Sequence, residues 1–243
     1  MKLTVLLLAL SSLGISAFGQ TDPASVQINL GTADKFALLG ASGITNVSAQ
    51  TFMVGNVGSS PTPAITGLTQ AQVEGQLYLV SNAITAQAQT GLTVAYNQAA
   101  NAPCSQDLTG TDLGGLTLGP GVYCFSSSAG LTGALTLDGH GDPNAQWIFK
   151  IGSTLTTASS SQVSIVPVTK QPWVKDLRGC NVYWQVGSSA TIGSGSTFVG
   201  KIMALASITL DGGTLYGKAL ASTGAVTMST QETVNGPPCG THK

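Results

Sequence analysis

Two short patterns of apolar and polar residues recur along this chain. In the first, an apolar residue, any residue, glycine, an amide or lysine, and a second apolar residue follow one another. It occurs as Met53-Val54-Gly55-Asn56-Val57 and Val73-Glu74-Gly75-Gln76-Leu77, then as Phe198-Val199-Gly200-Lys201-Ile202 and Leu215-Tyr216-Gly217-Lys218-Ala219. Gly55 and Gly75 are spaced by 20, Gly200 and Gly217 by 17. Alternation within each copy predicts a strand with one buried face. In the second pattern a threonine sits between two apolar residues, ahead of a small or turn residue. The copies are Leu116-Thr117-Leu118-Gly119, Leu135-Thr136-Leu137-Asp138, Ile208-Thr209-Leu210-Asp211 and Val226-Thr227-Met228-Ser229, with Ala190-Thr191-Ile192-Gly193 a near match. Thr191, Thr209 and Thr227 are spaced by 18, Thr117 and Thr136 by 19. Thr154-Leu155-Thr156 shows the same alternation with its apolar residue central.

A strand motif returning at such intervals, roughly 20 residues, and punctuated by Gly and Ser, predicts one turn of a β-solenoid. Helical repeats fail here because Gly and β-branched residues saturate the pattern. One stretch departs from it. Over 84–100, Ala88, Leu92, Ala95, Tyr96 and Ala99 fall at helical spacing, so a single amphipathic helix is expected to lie against the solenoid. Thr85 is its expected N-cap, and Gly91 weakens it by about 1 kcal/mol. Strand repeats flank the helix on both sides, which makes it an insertion within one domain.

The N-terminus changes the picture of where this domain works. Lys2, an apolar stretch over 3–10 and small residues at Ala17 and Gly19 read as a secretory signal, with cleavage before Gln20. The expected organisation is a signal peptide at 1–19 and one secreted domain over 20–243. No later stretch approaches the roughly 20 apolar residues of a membrane span. Cys104, Cys124, Cys180 and Cys239 are an even set for a secreted chain, and three pairings are open. Cys104–Cys124 with Cys180–Cys239 is preferred, since it closes one excursion and fastens the Pro-rich tail. Asn46-Val47-Ser48 is the one glycosylation sequon.

Charge then excludes whole classes of function. Nine basic and ten acidic residues make up 8% of 243 residues, against roughly 25% in ordinary proteins. Serine and threonine fill the gap. No basic patch exists to neutralise phosphates, so nucleic acid is excluded as a partner. The segment Asp138-Gly139-His140-Gly141-Asp142 has the wrong ligand order for a calcium loop and reads as a turn. No metal or other cofactor is expected. The acids are scattered, Arg178 is the sole arginine, and no Ser/His pairing stands out, so the chain is not expected to be an enzyme. What survives is the threonine ladder. Where apolar neighbours point inward, Thr points out, and stacked coils align outward hydroxyls roughly 4.8 Å apart. Such an uncharged face suits a regular solid surface. An alternative reading is a secreted wall or adhesion module binding polysaccharide, which would favour aromatic stacking.

The stretches LGTADKFALLGASGIT, DLGGLTLGPGVYCF, GDPNAQWIFKIGSTLTTAS, CNVYWQVGSSATIGSGSTFVGKIMALASITL and GKALASTGAVTM cover nearly the whole mature chain. They resemble the microbial secreted β-solenoid family of ice-binding (antifreeze) proteins. The resemblance implies a right-handed solenoid of triangular section, one helix packed along a side, and N-terminal rungs out of sequence order. It implies a monomer whose partner is the ice surface, with thermal hysteresis and inhibited recrystallisation as its activity. Carried over by position, the ice-binding face comprises Ser42, Thr136, Thr154, Thr156, Ser189, Thr191, Ser207, Thr209, Ala225 and Thr227. Ser42 enters by resemblance alone; the others also follow from the repeat. Thr117 is assigned to a different face because Gly119-Pro120 turns the chain early, and Lys201 and Lys218 should lie off the ice face.

Overall fold

The computed structural model describes residues 26–166, 179–236 and 239, so the leader expected at 1–19 lies outside the described residues. Short parallel strands stack coil upon coil into a β-solenoid with three faces. One face is a separate seven-stranded sheet. The other two belong to one 15-stranded sheet, folded along a corner that the long strands Ser196–Ala204 and Gly213–Ala221 cross without interruption.

The first sequence repeat marks that corner. Gly55, Gly75, Gly200 and Gly217 all have positive φ (120°, 148°, 121° and 158°), and they stack. A Cβ on Gly217 would lie 1.8 Å from the Gly200 carbonyl oxygen, one on Gly236 2.3 Å from that of Gly217, and one on Gly75 2.6 Å from Gly55. Each copy is therefore a bend at which the strand changes face, rather than a strand with one buried face as alternation suggested. The two groups of repeats, far apart in sequence, form one continuous glycine column because the N-terminal coils stack after the C-terminal ones.

Chain order explains the helix. On the helix-backed face, Leu77–Tyr78 and Gln106–Asp107 stand at opposite ends of the strand row, about 38 Å from one another at the usual strand spacing. The helix Ala83–Asn101 has 19 residues and spans about 28 Å, so it carries the chain back along the axis to start the second stack. Asn82 is its N-cap, and the expected cap Thr85 instead completes a capping box from the third helical position. Ala88, Leu92, Ala95 and Ala99 are buried against Leu39, Val122, Ile148, Tyr183, Met203 and Leu220. Gly91 has a packing reason: a Cβ there would lie 2.2 Å from the Leu30 carbonyl oxygen.

Inside the solenoid, in-register positions form columns. Tyr123, Phe149 and Trp184 are successive members of one, and Phe149 and Trp184 stack at 3.9 Å between ring centroids. The terminal coil closes its own edge: Gln70 Nε2 donates to the Val73 and Gly75 carbonyls, and its Oε1 accepts from Leu77 N–H. Both preferred disulfides form, Cys104–Cys124 and Cys180–Cys239. Beside the second, Asp34 joins the first described coil to the last. Its carboxylate lies 3.3 Å from Lys201 Nζ and accepts from Cys239 N–H, while Lys218 Nζ donates to the Asp34 and Gly236 carbonyls.

Gly217→Ala is expected to cost about 2–3 kcal/mol, because the methyl must displace the Gly200 backbone. The melting temperature should fall by about 5 °C or more; an unchanged melt would refute the corner column.

Buried acid and base give the fold a pH signature. Glu232 is 3% exposed. Burial, and more weakly the Asp211 carboxylate, push its carboxyl up to about 7 from 4.5, against the lowering effect of a Gly212 backbone hydrogen bond. As pH rises from 4.5 to 7 the unfolded chain releases this proton before the fold does, so stability falls across that window. Burial likewise lowers Lys218 from 10.5 to about 8, and stability rises again between those values. Glu232→Gln should flatten the melting profile between pH 4.5 and 7 and raise the melting temperature at about pH 8 by about 5 °C. A profile that keeps the wild-type slope would show that Glu232 is not its source.

Candidate binding surface

Seven strands build the separate sheet in the order Ala129–Leu131, Leu155–Thr157, Ala190–Ile192, Ile208–Leu210, Ala225–Met228, Gly43–Asn46 and Ile65–Thr66. Of their inward residues, Leu155, Ala190, Ile208, Val226 and Ile44 are at most 1% exposed. This burial fixes which way the intervening residues point. Register places Gly130, Thr156, Thr191, Thr209, Thr227, Thr45 and Thr66 side by side. Six threonines therefore occupy consecutive coils, with the outer ones exposed and Thr191, Thr209 and Thr227 half-buried. At the far end, Asp112 bridges to Gly130 and binds Thr132 and Gly114. No charged residue stands within the threonine row.

A second line runs two residues earlier along each strand: Ser128, Thr154, Ser189, Ser207, Ala225 and Gly43. Its hydroxyls are committed to the protein. Ser128 Oγ accepts from Thr154 Oγ1 at 2.9 Å, Ser189 Oγ from Ser207 N–H at 3.3 Å, and Ser207 Oγ from Ala225 N–H at 3.3 Å. The Thr156, Thr191, Thr209 and Thr227 hydroxyls make no hydrogen bond to any described residue. One line thus stitches neighbouring coils together and the other faces solvent.

The structure brings together eight of the ten expected face residues: Thr154, Thr156, Ser189, Thr191, Ser207, Thr209, Ala225 and Thr227. Two stand elsewhere. Thr136 pairs with Thr117 and Ser164 in the 15-stranded sheet, on the third face. Its coil presents Gly130 to the seven-stranded face, because Ala129–Leu131 has already crossed it. Ser42 precedes its strand by one residue. Gly43 takes the register of Ala225, and Thr45 that of Thr227. Thr45 and Thr66 were missed, although Ile44-Thr45-Asn46 and Ile65-Thr66-Gly67 carry an apolar-Thr pair whose third, usually apolar, position is polar or Gly. Lys201 and Lys218 are buried on the helix-backed side.

The sequon asparagine is part of this sheet and is enclosed, at 4% exposed. Elsewhere the chemistry is sparse. Asp138 and Asp142 cap their own turns by accepting from His140 N–H and Asn144 N–H. Among the described residues, no group of three or more His, Cys, Asp or Glu is placed to hold a metal, and no helix is long and apolar enough to cross a membrane.

A β-solenoid that presents a row of in-register threonines without a charge among them belongs to a class suited to meet an extended surface. The comparisons with known proteins are specific. A family model for ice-binding-like proteins matches residues 38–235. An ice-binding protein of Nostoc sp. (strain HG1) is 48% identical over 228 residues, covering 92% of this chain and 81% of the relative. The crystal structure of an ice-binding protein from the Antarctic ascomycete Antarctomyces psychrotrophicus superposes with a TM-score of 0.74 at 34% identity, covering 85% of this chain and 98% of that one. An Arctic yeast ice-binding protein, whose structure addresses its antifreeze activity, gives 0.76 at 28% identity over 90% and 99%. The chain belongs to the ice-binding-like family, whose members are non-enzymatic in kind.

Ser207→Ala removes one stitch between coils and should cost about 1 kcal/mol. The melting temperature is expected to drop by about 2–4 °C; no drop would mean that the hydroxyl does not support the sheet.

Proposed function

We propose that this protein adsorbs to ice through its seven-stranded face, makes the crystal surface grow curved between adsorbed molecules, and so lowers the local freezing point. The same adsorption slows recrystallisation. One observation carries the reading: six in-register threonines on consecutive coils, four of them with hydroxyls that bond no described residue. Their methyls order water beside them without binding it, and their hydroxyls anchor that layer by hydrogen bonds. The inter-coil repeat of roughly 4.8 Å keeps the anchors regular. Charges would orient water differently, and the threonine row has none; Asp112 stands at its end, beside Gly130. The relatives, named for ice binding, point the same way.

Thr156, Thr191, Thr209, Thr227, Thr45 and Thr66 are the contact row in this reading, with Thr154, Ser189, Ser207 and Ala225 behind it. The protein is exported after loss of 1–19, acts as a monomer over 20–243, and catalyses no reaction. The apolar leader and the two disulfides support export.

Thermal hysteresis of the purified protein tests the reading. Thr209→Tyr places a ring in the middle of the row and should reduce hysteresis sharply while leaving the melting temperature unchanged. Undiminished hysteresis in that variant, or none in the wild type, would sink it.

A further inference from the structure

The terminal coil, which carries Thr66, reaches the face only through a short ladder at the edge of the seven-stranded sheet. Ile65–Thr66 is a two-residue edge strand, paired on one side only. Its ladder with Gly43–Asn46 has two register pairs, Ile44 with Ile65 and Thr45 with Thr66. One residue further on, the backbone bonds part company: Val47 N–H donates to Met228 O on the other neighbour. At that point a side chain takes over. Asn46 Nδ2 donates to Gly67 O at 2.7 Å and to Ser48 O at 2.7 Å, and its Oδ1 accepts from Thr51 Oγ1 at 2.9 Å.

Position makes this amide unusual. Asn46 occupies the inward column that holds Met228 and Leu210 in the preceding coils, so an apolar residue is the default there. Gly67 is pressed against it: φ is +72°, and a Cβ would lie 1.8 Å from the Asn46 carbonyl oxygen. Both amide hydrogens and the carbonyl of the buried side chain are used. Leaving the Gly67 carbonyl without its donor at a sheet edge would loosen the coil that carries Thr66.

We infer that Asn46 is a positioning residue for the binding face: its amide completes the edge ladder and holds Thr66 in line with Thr45 and Thr227. This rests on the ice-adsorption reading and adds a specific claim to it. In the folded protein the Asn46-Val47-Ser48 sequon then serves as a strut, with its amide committed to the backbone.

A double-mutant cycle on hysteresis tests the inference. Thr66→Tyr and Asn46→Ala should each lower hysteresis about twofold, and the double variant should be no lower than either alone, because both act through one coil. Hydrogen exchange of 64–68 should accelerate in Asn46→Ala while 190–210 stays protected. Independent losses that multiply in the double variant would overturn the inference. So would full hysteresis in Asn46→Ala, or in Thr66→Tyr. Thr51→Val, which removes the hydroxyl that orients the amide and also accepts from Glu232 N–H at 3.4 Å, is the milder substitute should Asn46→Ala fail to fold; it should lower hysteresis alone but add nothing to Thr66→Tyr, and the opposite result counts against the strut. Thr209→Tyr run alongside separates the outcomes: if it too keeps full hysteresis, the adsorption reading fails and not merely the strut.

Discussion

Parallel stacking of each coil's backbone on the next is the interaction on which the rest depends. Hydrogen bonds along the stack hold successive coils at one spacing, roughly 4.8 Å, and every column of side chains inherits it. The interior stack of Tyr123, Phe149 and Trp184, the corner glycines and the outward threonines are all columns of this kind. Glycine is obligatory at the shared corner because the approach of consecutive coils leaves no room for a Cβ. The order of the surface is therefore set by the backbone, and the side chains only display it.

A stack built this way has no reason to follow chain order, and this one does not. The chain forms its N-terminal coils, returns along the helix and builds the remainder toward them. The junction is where specificity is concentrated. Asp34, Lys201 and Lys218 are brought together there, two of them almost fully buried. Burying charge costs free energy that a packed apolar residue would not, but a misdocked coil would leave those lysines unpaired in the interior. The cluster thus penalises wrong register more than it rewards the right one. The Cys180–Cys239 disulfide and the Lys218 bond to Gly236 tie the tail to the same place.

Much of this was legible in the residues. Spacing revealed a solenoid, helical periodicity located the insertion within a residue at each end, and both disulfides follow the preferred pairing. Face assignment was harder, for a physical reason. An apolar-Thr-apolar triplet suits any outward strand of a solenoid, whichever face it belongs to. Leu135-Thr136-Leu137 is such a triplet on the third face, while its own coil shows glycine at Gly130 to the seven-stranded one. Conversely, Thr45 was hidden because Asn46, and not an apolar residue, follows it. The permuted order compounded this, since Thr45 and Thr227 are adjacent in the stack yet come from opposite ends of the chain.

Mixed composition in the line behind the threonines has a structural explanation once its hydrogen bonds are traced. At the edge of each coil the chain turns onto the seven-stranded face, and several backbone N–H groups there bond to hydroxyls of the coil before. Serine performs this task as well as threonine, since only the oxygen is used. Ala225 and Gly43 occur toward the N-terminal coils, which carry no hydroxyl stitch from this line and keep only the backbone bonds common to the stack, such as Ser42 N–H to Gly224 O and Ile44 N–H to Ala64 O. Thr156, Thr191, Thr209 and Thr227 have no such duty toward any described residue, and only Thr66 and Thr45 join hydroxyl to hydroxyl, at 3.4 Å, so the fold itself does not demand threonine at those four coils. Valine would satisfy the strand equally well. A preference for threonine over valine at the four positions whose hydroxyls bond no described residue is a preference for what lies outside the fold, and for a row of this repeat that is ordered water.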